Sequence, residues 1–342
     1  MAFDPAPLKA RLRAQAGEYL PGLALCATIA AAAAFLGSHY GAPVMLFALL
    51  IGMAFNFLAE ASACSAGVDL AAKFLLRLGI ALLGVRIVFE DLAAFGLPGV
   101  AAVAGLMALT IASGFVAARL FGRQWRFAVL TGGAVAVCGA SAALAIAAVI
   151  PHNDRTERNT LFTVIAVTTL STVAMVLYPV LTGALGLSDR AAGFLIGATI
   201  HDVAQVVGAG YSISDLAGDT ATLTKLTRVA LLPVVLIGIV LALRFAGVGR
   251  GAGRVPLLPW FMLVFLALSA TASLVALPPA LTGGIETASR ALLVTAIAAL
   301  GVKTSLRAMT SVGGGHLFVV SSETLVLLGA AIALILLLPG LV

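Results

Sequence analysis

The sequence predicts an all-α polytopic membrane protein with about eleven transmembrane helices. Three observations predict it. Of 342 residues, 62% are hydrophobic and only 10% are charged, against about 25% charged in an ordinary soluble domain. The apolar runs are ~20 residues long, the length of a spanning helix, and not the ~10-residue alternating segments of a membrane barrel. Finally, residues 75–86 (LLRLGIALLGVR) and 292–303 (LLVTAIAALGVK) are identical at seven of twelve positions. These copies lie seven spans apart, an odd offset that makes them run in opposite directions. That is the signature of inverted-topology repeats.

In order, residues 1–18 form a polar arm with Lys9, Arg11 and Arg13, read as a cytoplasmic surface segment. Residues 19–342 form a single transmembrane domain. Its spans fall at about 19–37, 43–59, 70–89, 98–118, 127–150, 159–184, 190–211, 224–246, 257–277, 288–309 and 316–340. Connections are short and hold no soluble domain. No phosphate-loop motif and no HExxH spacing occur, and no cofactor is expected. Cys26, Cys64 and Cys138 are scattered without disulfide or zinc spacing. The first apolar run is too long for a cleavable signal peptide.

The formal charge of +6 reflects topology rather than nucleic-acid binding, because the basic residues sit at the ends of apolar runs. Arg119, Arg123 and Arg126, then Arg244, Arg250 and Arg254, share a side with the N-terminal arm. Lys73, Arg190, Lys303 and Arg307 join them. Opposite them, Arg155 and Arg158 are offset by Asp154 and Glu157. The N-terminus is therefore placed in the cytoplasm and the C-terminus outside. A re-entrant fifth span would flip everything after it.

Polar groups inside apolar runs are the candidates for function. The seventh span carries His201, Asp202 and Gln205 at its centre, flanked by Gly193, Gly197, Gly208 and Gly210. An ionised Asp at that depth costs roughly 2.5–3.5 kcal/mol on insertion scales and must face protein or water. Helical spacing puts the three on one face. They are either a site or a polar knot between two helices. The fifth span reads Thr131-Gly-Gly-Ala-Val-Ala-Val-Cys-Gly-Ala-Ser141. It is either a broken helix whose free N–H groups suit an anion or a small-residue packing face. Two interrupted spans are the best sequence pointer to a transport site. Arg86 and Lys303 end the repeat copies and either serve a site or snorkel to the interface. Lys225 and Arg228 share a helical face and either pair with Asp202 or anchor the interface. Glu323 lies inside the last span, where Lys303 is a possible partner. Asn56 reads as hydrogen-bonding glue.

Several stretches together resemble one family: GATIHDVAQVVGAG, TKLTRVALLP, VCGASAA, LLRLGIALLGVR, VLYPVL at 176–181 and Pro259-Trp260-Phe261. They resemble the YeiH-type family of bacterial inner-membrane proteins, to which sulfate export is ascribed. The resemblance runs from about residue 43 to 320. Where this chain has Asp202, members often have Glu. The resemblance implies kinship with the superfamily of sodium/proton antiporters and bile-acid symporters, with two inverted repeats and two broken, crossing helices. Homodimers are common there.

Residues and resemblance together give a secondary active transporter of the inner membrane, in contact with lipid and not an enzyme. It exports a small anion, sulfate or a sulfur-containing organic acid, coupled to protons or sodium. Cys138, Gly139, Ala140, Ser141, Thr199, His201, Gln205, Arg86 and Lys303 form the expected substrate site. His201, Asp202 and Glu323 take the coupling ion, and Lys225 and Arg228 balance charge. The alternatives are a cation/proton antiporter working through Asp202, and a membrane enzyme or sensor.

Overall fold

The structure is a computed structural model that describes residues 8–40, 44–58, 62–87, 89–151, 155–247, 259–275, 277–304 and 314–338. Among the described residues there is helix and no strand. Arg250, Arg254, Arg307 and Asp154, used above to orient the chain, lie outside them, as do residues 1–7 of the arm. Six helical stretches are long and apolar enough to cross a membrane: Gly17–Tyr40, Phe95–Leu120, Thr156–Ala184, Asp215–Phe245, Pro279–Lys303 and His316–Leu337. Three shorter apolar helices accompany them. Fewer long helices than expected spans appear because several spans are bent or interrupted.

The chain divides into two compact units, each built from separated segments. Unit 1 holds residues 1–86 and 264–305. Its helices are α1 (Leu8–Tyr40), α2 (Val44–Ala54), α3 (Ser62–Leu70) and α4 (Leu76–Leu82), then most of α13 (Trp260–Leu274) and α14 (Pro279–Lys303). A π-helical turn, Ala71–Leu75, joins α3 to α4. Glycine lets these helices touch backbone to backbone. A Cβ on Gly52 of α2 would stand 2.4 Å from Ala298 O, and one on Gly301 of α14 would stand 2.4 Å from Leu49 O. The repeat copies pack on each other: Ser289 Oγ donates to Gly79 O at 2.7 Å, and Leu293 lies against Gly79. Further along, Lys303 pairs with Asp69. Residue numbers thus rise on one strand of this contact as they fall on the other, and the two segments are antiparallel. Asn56 Nδ2 donates to Val302 O at 2.7 Å, so Asn56 does tie helices together.

Unit 2 holds residues 87–263 and 306–342. It contains α5 (Phe89–Leu120), α6 (Trp125–Ala136), α7 (Ala140–Val149), α8 (Thr156–Ala184), α9 (Asp189–Thr199), α10 (Val203–Tyr211), α11 (Asp215–Ala230), α12 (Leu232–Phe245) and α15 (Gly314–Leu337). Helix starts follow their caps. Ser188 accepts from Ala191 N, and Ser214 accepts from Ala217 N, each with an Asp in the following first turn. The fifth expected span is α6 and α7 separated by Val137–Gly139. The seventh is α9 and α10 separated by Ile200–Asp202. All the remaining site chemistry is positioned by these two interruptions.

Candidate functional site

Each interruption has a local cause. After Ala136 the backbone leaves helical space at Val137 (φ −110°, ψ −88°), and Gly139 takes φ +63°, ψ −117°, a region that L side chains rarely adopt. The Gly139 amide closes back on Ala134 O at 2.8 Å, an i→i−5 bond one residue wider than the helical i→i−4 spacing. A Cβ there would also stand 3.3 Å from both His201 Cβ and Val167 Cγ2, so the two interruptions meet at this glycine. In the second interruption Ile200 (φ −68°, ψ 137°) and Asp202 (φ −95°, ψ 138°) are extended. Asp202 then caps α10, its Oδ1 accepting from Ala204 N at 2.8 Å. Its own amide donates to Ser171 Oγ at 3.0 Å.

Breaking a helix in an apolar interior leaves backbone carbonyls without partners, each costing several kcal/mol in hydrocarbon (~2–7 by reference state). Lys225 and Arg228 of α11 take those carbonyls. Arg228 Nε donates to Ala136 O at 2.9 Å, and Nη2 donates to Val135 O and Ala136 O, both at 2.6 Å. Its Nη1 donates to Gly197 O and Ile200 O, both at 3.3 Å. All five guanidinium N–H groups are thereby used. Lys225 Nζ bridges the same two ends, donating to Val137 O at 2.7 Å and Ile200 O at 2.8 Å. Both side chains are sealed off, at 0% and 1% exposure. The sequence places them by a stripe on α11. Small residues come first, where a Cβ on Gly193 would meet Ala217 O at 2.6 Å and one on Gly197 would meet Ala221 O at 2.4 Å. One further helical step along that stripe is Lys225, level with the end of α9. The cations bind backbone carbonyls, where the sequence offered pairing with Asp202 or anchoring at an interface.

The beginnings of the second half-helices are dressed differently. Gly139 has no side chain with which to cap α7, and among the described residues no backbone carbonyl takes the amides of Ala140 and Ser141. Ala142 N–H meets the Cys138 sulfur. Cys138 and Gly139 are buried, while Ser141 is exposed, so this helix start opens outward. Thr199 is buried and gives its hydroxyl to Leu195 O at 2.5 Å. Asp202 is half-buried.

Two uninterrupted helices brace the broken ones. From α8, Thr172 Oγ1 accepts from Gln205 Nε2 at 2.9 Å, leaving buried Gln205 Oε1 without a partner. From α15, Thr324 gives its one proton to Val320 O at 2.8 Å. The same hydroxyl lies 2.9 Å from His201 Nε2, a hydrogen bond whose direction follows the tautomer of the ring. Nδ1 is buried, meets no hydrogen-bond partner within strict geometry, and the ring lies against the backbone of Val135. The neighbouring Glu323 reaches Thr131 Oγ1 of α6 at 2.7 Å. Thr131, Ser171, Thr172 and Thr324 were not singled out from the sequence. Their only signals were a Thr beside the Gly-Gly pair of the fifth span and a Thr beside Glu323.

Cys138, Gly139, Ala140, Ser141, Thr199, His201, Asp202, Gln205, Lys225, Arg228 and Glu323 all belong to unit 2. Arg86 and Lys303 belong to unit 1, where Lys303 binds Asp69. Glu323 is partnered by Thr131, not by Lys303. The arrangement around the interruptions carries a surplus of positive charge. Two buried cations and two helix starts stand against one carboxylate and two helix ends. With Lys225 and Arg228 protonated, Asp202 ionised, Glu323 protonated and about half a charge at each helix terminus, the balance is about one positive charge.

Comparison with known proteins places the chain. The family profile described as conserved hypothetical protein 698 matches residues 21–320. The UPF0324 membrane protein TauZ of Paracoccus denitrificans is 53% identical over 310 residues, covering 90% of this chain and 92% of the relative. A UPF0324 membrane protein of Rhizobium meliloti is 52% identical, covering 90% of each chain. One from Chlorobaculum tepidum is 50% identical, covering 91% of this chain and 87% of its own. No solved structure matches. The chain belongs to the conserved hypothetical protein 698 family, the UPF0324 membrane proteins.

Proposed function

We propose that this membrane protein is a secondary active transporter that exports a small anion, sulfate or a sulfur-containing organic acid, coupled to protons or sodium. The observation that carries the reading is the surplus of about one positive charge, two of whose sources are the fully buried Lys225 and Arg228. It sits beside the open start of α7, whose Ala140 and Ser141 amides have no backbone-carbonyl acceptor among the described residues. An anion at that helix start completes both the charge and the hydrogen bonding. The Ala140 and Ser141 amides hold it, while Gln205 Oε1, an acceptor, serves only a donor carried by the bound acid and His201 stands beside it. Lys225 and Arg228 act indirectly, since their bonds are spent on carbonyls. Arg86 and Lys303 are left to unit 1. The resemblance to sulfate exporters and to a superfamily with crossing broken helices supports the same reading.

The test is a thermal-shift screen of the detergent-purified chain against sulfate, sulfite, thiosulfate, sulfonates, small carboxylates and sodium at two pH values. A ligand at 100 times its dissociation constant stabilises by ~2.7 kcal/mol. Stabilisation by one anion class, lost when Ser141→Pro removes an open amide, is the expected result. Stabilisation by sodium alone, with anions indifferent, would replace this reading with an Asp202-based cation antiporter.

A further inference from the structure

Glu323 is the most deeply enclosed acid described, at 0% exposure, and it sits in a slot made for it. Gly114 of α5 and Gly132 of α6 face each other, and a Cβ on Gly114 would stand 2.9 Å from Glu323 Oε1 and 3.1 Å from Gly132 Cα. Any larger residue at Gly114 closes the slot. One carboxyl oxygen meets Thr131 Oγ1, while the other, Oε2, is buried with no partner. Among the described residues no ion pair reaches it.

The surroundings on every side are neutral or distant. Facing Glu323, α5 presents Gly114 and α6 presents Ala128, Thr131 and Gly132. The turn after α9 presents His201, which is held by Thr324 rather than by Glu323. His316, on the same helix, is engaged by Asn159 of α8 and by the rings of Phe127 and Phe162, over which Arg123 and Arg158 lie.

We propose that Glu323 is the site of the coupling proton, with Thr131 as its two-way hydrogen-bonding partner. This deepens the transporter reading and rests on it. Thr131 Oγ1 lies 2.7 Å from Glu323 Oε1 and 3.0 Å from Phe127 O. With Glu323 ionised, Thr131 donates to the carboxylate. With Glu323 protonated, the acid donates to Thr131, which turns its own proton onto Phe127 O. Both states are satisfied at that oxygen without moving a heavy atom, whereas a purely structural tie needs only one of them. A proton requires one oxygen. A hard metal cation takes about six or more, and one carboxyl with one hydroxyl falls short of that. Glu323 also touches the machinery at both interruptions. Thr131 lies on the half-helix whose end Arg228 and Lys225 hold, and the next residue, Thr324, holds His201.

The experiment has two arms. Infrared titration of the full chain in lipid follows the C=O band of protonated carboxyl groups across the neutral range. Glu323→Gln, which keeps the size and a hydrogen bond to Thr131, removes a titrating band. Thr131→Val keeps the band and moves its midpoint. The second arm measures flux of sulfate and of a sulfonate in proteoliposomes. Gradient-driven accumulation falls about ten-fold or more in Glu323→Gln, within the usual range of coupling between sites, while exchange at equal pH continues. A titrating band that survives Glu323→Gln, or gradient-driven accumulation that survives it, overturns the proposal. If the unaltered chain moves neither sulfate nor a sulfonate, the transport reading fails, and the infrared arm still decides where the proton binds.

Discussion

Close glycine contacts join helices in hydrocarbon in both units, and the units differ in what unit 2 adds to them. Unit 1 removes side chains. Gly22 and Gly67 bring α1 and α3 together so closely that a Cβ on either would stand 2.1 Å from a carbonyl oxygen, and Gly52 and Gly301 do the same for α2 and α14. Single polar contacts such as Asn56 to Val302 O and Ser289 to Gly79 O tie distant parts of the sequence together. Unit 2 also breaks its helices and spends two fully buried cations on the loose ends. In lipid there is no hydrophobic force between helices, so close packing and hydrogen bonds are what remain. Packing through glycine is cheap and static. A lattice of cations on carbonyls is expensive in desolvation, which makes unit 2 the place where function repays the cost.

The largest effect expected is at Arg228. Arg228→Met strips donors from Val135, Ala136, Gly197 and Ile200 carbonyls and costs about 3–5 kcal/mol, as breaking a buried charged contact does. Arg228→Lys keeps the charge but supplies three donors from one point in place of a five-donor fork, so it recovers only part of the loss. Melting of the purified variants checks this; a Lys variant as stable as the parent would mean that charge alone, and not the fork of donors, holds the helix ends.

Glycine substitutions sharpen the contrast at a smaller scale. Gly301→Ala forces a Cβ to 2.4 Å from Leu49 O in unit 1, costing about 1–3 kcal/mol by overpacking. Gly139→Ala in unit 2 puts a side chain at φ +63° at a cost of about 1–2 kcal/mol. The two variants should lose similar stability and differ in function: anion-dependent stabilisation survives in the first and disappears in the second. Loss of the anion response in both variants would erase the division of labour between the units.

Part of this was legible in the sequence. The glycine-flanked His201-Asp202 segment and the Cys138-Gly139 turn pointed to interruptions, with a polar knot and a small-residue packing face as the alternatives, because a glycine able to take positive φ and an Asp able to cap are written in residue identities. The role of Lys225 and Arg228 was not legible. Their acceptors are backbone carbonyls, which every residue carries, so no partner side chain marks them. The copies ending in Arg86 and Lys303 drew those residues into the expected site by analogy. In the structure Lys303 serves Asp69 in unit 1. Glu323 was visible as an intramembrane acid, but its partner Thr131 lies 192 residues away and hydroxyls in apolar helices are common.

The smallest effect expected is at that Asp69 pair, and its sign is fixed. Asp69 accepts from Lys303 and from Lys73, the latter at 3.0 Å. The Lys303 hydrogen bond above all holds its carboxyl below the usual carboxylate value, against the opposing pull of partial burial. A lowered value means that the ionised form favours the folded chain, so the contribution is complete above the ordinary value of about 3.9. It disappears as pH falls through the lowered value. With 47% of the Asp69 side chain exposed, solvent screens the pair, and Asp69→Asn should cost about 0.2–1 kcal/mol at neutral pH, less in high salt. Nothing should change in the anion response. Melts of the parent and Asp69→Asn chains at neutral pH therefore differ slightly and converge in acid. A difference that stayed constant into acid would mean that Asp69 acts in unit 1 by shape and not by charge.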